Sequence, residues 1–418
     1  MSMIFPSSET AKVINAAIEN LQGTTTQAEG ATADGLIITE DLSNIVQAGQ
    51  LVTNTLTIDN FVNSVTNMLE TVGRIYFECL TSEDYDDDLF KLRVDKTEFA
   101  CLREKVRIDQ TKFEASFVNT EPDSITGQYG YSSFDDLFGK HPFTFKVKVW
   151  GNKGFYRTKP FTISYEMYKS SVQSQNGWNE LIAQMWGVVD AVVDIAMTES
   201  PWFLVRQQMA NAAMYRSGAR VINLEDVFES ETGETFAGAN EVKFATWFVK
   251  FQRHLRKIMR KATTKYCGAN VPPINTPARY ERNFLLDTFY DDINAGLSGV
   301  YHDNKIGNID DYDIIPYIQN VNEPSKLDIV PANPPVLTPN KHVTGVTATG
   351  IVGMIWDRRG TFYNLEYKKV ASNTNTFDDH VNYISTVGAQ HCVDEDSNVV
   401  VFVLGHSDGF TITEESDS

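Results

Sequence analysis

An α+β fold follows from three patterns in this chain. Residues 178–198 carry apolar side chains around most of a helical girth, with polar ones confined to a narrow stripe. Residues 113–117 and 143–149 alternate apolar and polar at period two, as strands with one covered face do. Residues 220–339 mix strand-like and helix-like stretches and end in a proline-rich connector.

Taken in order, Met1 to Gly23 reads as an amphipathic helix: Val13, Ile14, Ala17, Ile18 and Leu21 recur at helical spacing, with Lys12 and Glu19 interspersed. The charges and the short apolar run argue against a signal peptide. Gln22 to Gly35, rich in Thr, Gly and Ala, reads as a flexible arm, and Ile58 to Val72 as a second amphipathic helix with Phe61, Val62, Val65, Met68, Leu69 and Val72 on one face. These segments have little core of their own, so their apolar faces need surfaces from elsewhere in the chain or from another copy. From Gly73 to Tyr165 the period becomes two. An acidic tip (Asp84 to Asp88) and a polar, aromatic-dotted stretch (Asn119 to Asp136) interrupt what reads as a long excursion of antiparallel strands, too thin in apolar residues for an independent barrel.

The stretch from Trp178 onward is the spine. Glu180, Gln184, Asp190, Asp194 and Thr198 form the polar stripe, and Leu181, Ile182, Met185, Trp186, Val188, Val189, Val192, Val193 and Ile195 cover the rest, which predicts burial on several sides. Ser200 as N-cap and Pro201 at the first helical position predict a second helix that runs until Gly218. Within Arg220 to Pro339 the clearest helix is Lys243 to Lys265: Trp247, Phe248, Phe251, Leu255, Ile258 and Met259 share one face, while Lys250, Arg253, Arg256, Lys257, Arg260 and Lys261 take the other. Pro272, Pro273 and Pro277 break the chain before Asn283 to Phe289, and Pro324 to Pro339 reads as a connector. The last segment is strand-like, with Ile351 to Trp356 turned at Asp357 to Gly360, a fully buried strand at Val399 to Leu404, and an acidic tail from Asp408 to Ser418. There is no internal repeat.

Length and charge bound the function. At 418 residues there is room for two or three domains at about 100–200 residues each. Lys and Arg number 36 against 55 Asp and Glu, giving a net charge of −19. A chain so acidic does not grip a polyanion as a whole, so any nucleic-acid contact has to be local. No stretch reaches the roughly 18 uncharged apolar residues of a membrane span, because Asp190 and Asp194 interrupt the best one, and the expectation is a soluble protein. Cys79, Cys101, Cys267 and Cys392 are scattered without a C-x-x-C pair, which predicts buried reduced thiols.

The chemical motifs are thin. Asp84, Asp86 and Asp88 resemble the start of a calcium loop, but such a loop needs Gly at its sixth position and Glu at its twelfth, where Leu89 and Asp95 stand. Asp310, Asp311 and Asp313 offer oxygens without a spacing that dictates a cage, and read as a turn. No nucleophile elbow, zinc-protease helix, phosphate-binding loop or dinucleotide fingerprint occurs, and the seven histidines are dispersed, the nearest of interest being His380 and His391. No catalytic, cofactor-binding or metal-ligating residue is therefore assigned. The one charged feature that stands out is the run 243–265, with eight Lys and Arg and no acidic residue. It suits nucleic acid, an acidic partner segment or the acidic surface of a neighbouring copy, and equally a solvated face.

In this order the pieces resemble the major capsid proteins of tailed bacteriophages, the Hong Kong 97-type fold, and within it the major head proteins of small podoviruses. The resemblance rests on the order of elements and on short stretches. Among these are Trp150-Gly-Asn-Lys-Gly-Phe-Tyr-Arg157 with Phe161 to Tyr165 as the re-entry before the spine, the strand-helix step Asn283 to Leu297, and the closing strands around Asn364 to Asn382. It implies an N-terminal arm (1–72), an extended loop (73–158), a peripheral domain with a long spine helix (159–219 and 340–418) and an axial domain (220–339). The implied role is a viral structural protein, not an enzyme, that self-assembles as pentamers and hexamers into an icosahedral head enclosing double-stranded DNA. Assembly would take place in the host bacterial cytoplasm without a cofactor or membrane, and scaffolding, portal or other head proteins are implied partners. The alternatives are a soluble carbohydrate- or nucleotide-binding module or enzyme, using Tyr129, Tyr131 and Phe134 or the Asp310 to Asp313 cluster, and a bacterial nanocompartment shell of the same fold.

Overall fold

The computed structural model describes residues 7–19, 37–38, 42–55, 57–83, 90–94, 103–108, 145–150, 153–158, 160–215, 217–236, 241–268, 273–298, 312–332, 341–375, 380–405 and 409–416. Its helices are α1 (Ser7–Glu19), α2 (Ile45–Thr55), α3 (Ile58–Glu83), α4 (Tyr165–Ser171), α5 (Gln175–Met214), α6 (Ser217–Arg220), α7 (Leu224–Thr232), α8 (Glu241–Met259) and α9 (Asp287–Ser298). Its strands are β1 (Arg103–Ile108), β2 (Phe145–Trp150), β3 (Lys153–Arg157), β4 (Phe161–Ser164), β5 (Val221–Asn223), β6 (Glu281–Leu286), β7 (Asp313–Ile315), β8 (Leu327–Ile329), β9 (Lys341–Ala348), β10 (Ile351–Asp357), β11 (Thr361–Asn375), β12 (His380–Val393), β13 (Val399–Val403) and β14 (Phe410–Ser416). This mixed content matches the expected α+β class. The chain forms two compact units. One comprises Met1–Glu98, Asn152–Trp202 and Tyr363–His391, the other Phe99–Gly151, Phe203–Phe362 and Cys392–Ser418.

The first unit is a helical layer and a sheet. The apolar stripe of α1, Ala11, Val13, Ile14, Ala17 and Ile18, is buried, and α1 packs on α3. The Ser64 hydroxyl of α3 donates to the Ala17 carbonyl at 2.8 Å, which fixes the two helices in register. The arm helices thus find their cover within their own chain. α3 also runs past Gly73, where the sequence suggested a change to strand, because Ile75 and Tyr76 extend the stripe Val65, Met68, Leu69 and Val72 by another turn. α2 was not expected at all; its short apolar set, Ile45, Ala48 and Val52, lies buried. Ser164 caps α4, accepting from the Met167 N–H at 3.2 Å, and places Tyr168 against Phe61 and Trp178, ring centroids 5.2 and 6.5 Å away. The sheet runs β11-β12-β3, with β4 pairing farther along β12: Thr386 faces Arg157 and His380 faces Ser164.

Two expectations for the spine need correction. α5 is a single helix through Pro201, with no break at Ser200. The Ser200 hydroxyl is occupied by bonds to other elements, so the helix passes through, with Pro201 unable to donate to the carbonyl four residues back. Nor is the helix buried on several sides. Trp178, Leu181, Ile182, Met185, Val189, Val192, Val193 and Ala196 form one buried stripe, whereas Ala183, Gly187, Ala191 and Ile195, the last 56% accessible, lie exposed. α5 is the one described helix whose length and composition would suit a membrane span.

The second unit is built on a mixed five-stranded sheet, β5-β13-β10-β6-β7. β10 pairs antiparallel with β13 and β6, while β5 and β7 join parallel at the two edges. Strands on both sides of residue 340 therefore share one sheet. Val399 to Val403 are buried throughout, as their unbroken apolar run predicts for a covered strand. Gly353 sits where β10 shifts register: an added Cβ would come within 2.6 Å of Leu285 Cδ2 and 2.7 Å of the Phe284 carbonyl. A separate sheet, β14-β9-β8, draws on the proline-rich connector, which contributes β8 and is not purely a linker. β1 and β2 form an antiparallel ladder from Arg103 opposite Trp150 to Ile108 opposite Phe145.

Candidate functional site

α8 is the charged element that the sequence singled out. Its apolar face, Phe244, Phe248, Val249, Leu255 and Met259, is buried, with Phe248 meeting Phe289 of α9 at 5.2 Å and Phe402 of β13 at 5.9 Å in edge-on geometry. The opposite face is not uniformly free. Lys243 Nζ lies 2.7 Å from a Glu234 carboxylate oxygen, and the Trp247 indole N–H donates to Glu231 at 2.7 Å. Glu281, at the start of β6 and buried, accepts from Arg256 and, at 3.4 Å, from Arg260 Nε. A charge taken out of water requires such partners, so these two arginines serve the fold. Tyr312 adds a bond from its hydroxyl to Gln252 at 3.2 Å, and burial drives its acidity further down. Lys250, Arg253, Lys257 and Lys261 remain exposed and make no ion pair among the described residues. Arg253, Lys257 and Lys261 stand four residues apart, a row with roughly 6 Å between neighbours on a helical rise, continued by the turn beyond Met259.

A second cluster resembles catalytic machinery at first sight. His391 Nε2 lies 3.0 Å from Ser200 Oγ, which is 3.1 Å from the Tyr156 hydroxyl. Ser200 is fully buried on α5. Burial pushes the His391 imidazole down to about 4, and raises Tyr156 as well. A neutral imidazole can still accept a proton, but a serine with no surface exposure offers no route for a substrate. The cluster ties β3, α5 and β12 together within one unit. Sequence reading gave no hint of it, because its members are 44 and 191 residues apart.

Of the remaining candidates, Asp313 opens β7, while Asp310, Asp311, Asp84, Asp86, Asp88, Tyr129, Tyr131 and Phe134 lie outside the described residues. Cys267 and Cys392 are buried thiols, as expected; Cys101 and the side chain of Cys79 lie outside the description.

Among the described residues the triad-like geometry is a buried pin and the charge stands on one helix, and the comparison with known proteins is decisive. A family model described as Phi29-like phage major capsid protein matches residues 21–403. The chain belongs to that family. It is a viral major capsid protein, a structural component of the virion that assembles into multimeric capsids. No curated protein matches it. Among solved structures it is similar to the capsid of Staphylococcus phage Andhra, with 13% identity and a TM-score of 0.40, covering 78% of this chain and 84% of that one. It is also similar to a chain in the structure of the head fiber and inner core protein of native bacteriophage P68, at 11% identity and a TM-score of 0.40, covering 75% of this chain and 83% of that one. For the capsid of Cyanophage P-SCSP1u the identity is 10% and the TM-score 0.35, covering 77% and 88%. The assignment of this capsid protein rests on the family match and not on these distant likenesses.

Proposed function

We propose that many copies of this major capsid protein tile an icosahedral head, as pentamers and hexamers, around a double-stranded DNA genome, and that the chain catalyses no reaction. The family match across residues 21–403 is the observation that carries this reading. Physical features support it. The outer face of α5, with Ala183, Gly187, Ala191 and Ile195 exposed, is apolar surface that contact with neighbouring subunits would cover. A net charge of −19 suits a wall that holds DNA without gripping it. Assembly takes place in the host bacterial cytoplasm in this proposal, with scaffolding and portal proteins as further partners. The division into arm (1–72), extended loop (73–158), peripheral domain (159–219 and 340–418) and axial domain (220–339) is likewise proposed, as a partition of roles in the shell and not of compactness.

The test exploits the β1–β2 ladder. Ile108 and Phe145 are paired, so replacing residues 109–144 by a two-residue Asn-Gly turn closes the hairpin without disturbing its register. The variant is expected to fold, with a cooperative thermal unfolding transition, but to give no closed shells by negative-stain microscopy. In this proposal the extended loop makes lateral contacts between subunits; normal particles from the variant would refute that role, and a wild-type chain that stays monomeric with all head proteins co-expressed would refute self-assembly.

A further inference from the structure

The chain segregates charge sharply at one place. Residues 224–241 contain six acidic residues (Glu225, Asp226, Glu229, Glu231, Glu234 and Glu241) and no Lys or Arg. Residues 242–265 contain eight Lys and Arg and no acid. The fold does not let these two blocks cancel. α7 packs its Phe228 against Phe244 and Trp247, near the start of α8, at 5.4 Å in each case. Of these acids, Glu234 and Glu231 meet the first turns of α8, through Lys243 and Trp247. Farther along, Glu281 takes Arg256 and Arg260. What is left over is an acidic end at α7, where Asp226 is exposed and one Glu229 carboxylate oxygen is buried without a hydrogen-bond partner, and a basic end at Lys250, Arg253, Lys257 and Lys261. Measured from Trp247, where Glu231 is held, Arg253 and Lys257 stand about 9 and 15 Å farther along the helix axis, at or beyond a Debye length of about 8 Å, so salt screens the far part of the basic row from the acids of its own α7.

We propose that the basic row Lys250, Arg253, Lys257 and Lys261 of one copy docks on the acidic α7 of the next copy, a head-to-tail contact between unlike surfaces. A two-fold axis would seat each basic row on the other copy's α7 and stop at a dimer, whereas a repeated rotation brings the plus end of each copy to the minus end of the next and closes a ring, as a multimeric shell needs. A second copy is favoured over nucleic acid as the occupant, because a chain of net charge −19 repels a polyanion while offering acid to its siblings. This inference rests on the self-assembly reading and specifies which surfaces meet.

The experiment is a charge swap in the full chain, co-expressed with the head proteins of its phage. Arg253→Glu with Lys257→Glu, and separately Asp226→Lys with Glu229→Lys, are each expected to lower particle yield at least tenfold by sedimentation and microscopy; the first pair, at exposed positions, is expected to leave the thermal unfolding of the soluble chain unchanged. The chain carrying all four changes is expected to recover to within about threefold of wild type. Neutral Arg253→Gln with Lys257→Gln guards against misfolding of the reversed form and should give an intermediate loss. If wild type assembles and both reversals assemble equally well, or the four-fold variant is no better than the reversals, the contact does not exist. Reversals that close normal shells but fail to retain DNA would overturn it in favour of a genome contact. Failure of wild type itself to assemble would instead strike the self-assembly reading.

Discussion

His391 shows how a single side chain is set by its surroundings. Its ring is buried among Tyr156, Tyr363 and Ser200, and burial disfavours the imidazolium, so it titrates near 4 instead of the usual 6.5. Between those two values the unfolded chain binds a proton that the folded chain refuses, which makes stability rise with pH. The stabilisation is complete above about pH 6.5 and is lost as the pH falls toward 4, by roughly 3 kcal/mol in all. Urea midpoints measured across that window should therefore slope for wild type and flatten for His391→Gln. An equal slope in both would show that other groups carry the dependence. Gly353 poses a steric question instead. Because a methyl group there meets Leu285 and the Phe284 carbonyl inside van der Waals contact, Gly353→Ala is expected to cost about 1–3 kcal/mol, read as a lowered melting temperature.

The elements raise the question of where a helix stops. Ser-Pro is a strong start signal, and it fails in α5 because the serine hydroxyl is committed to Tyr156 and His391 and the flanking apolar residues Val193, Ala196, Leu204 and Val205 are all buried along one continuous rod. An interior proline carries a penalty that a first-turn proline does not. Pro201→Ala should accordingly stabilise the protein by about 1–3 kcal/mol in denaturant titrations, whereas a helix that truly began at Ser200 would give no gain or a loss. Similar reasoning covers α8. Phe248 is fully buried against Phe289 and Phe402, and Phe248→Ala should cost about 3–5 kcal/mol, while Lys250→Ala on the opposite face should stay within about 0.5 kcal/mol.

At the scale of the molecule the informative quantity is what each unit leaves uncovered. The arm helices α1 and α3 hide their stripes in their own chain, so among the described residues the surface open to neighbours includes the exposed face of α5 and the two charged ends around α7 and α8 rather than the arm's apolar stripes. If the charged ends carry the association, raising salt from 50 to 500 mM should weaken subunit association severalfold in sedimentation velocity while leaving the melting temperature nearly unchanged, since the Arg256–Glu281 pair is buried and screened little. Salt-independent association would point to the apolar face of α5 alone.

Periodicity and composition determined much of this protein directly. The stripes of α1 and α8, the buried run of β13 and the block of eight cations are local patterns that need no partner to be read. Tertiary structure decided what those patterns meet. α2 was missed because Ile45, Ala48 and Val52 are too few to signal a helix without the packing that covers them, and α3 outran its expected end because a glycine stops a helix only where the chain gains nothing by continuing. Which cations of this helix are free depended on Glu281, 25 and 21 residues from Arg256 and Arg260 in sequence and fixed in place by β6. Ion pairing and burial are properties of distance in space, and a linear pattern carries no information about distance beyond its own helix or strand.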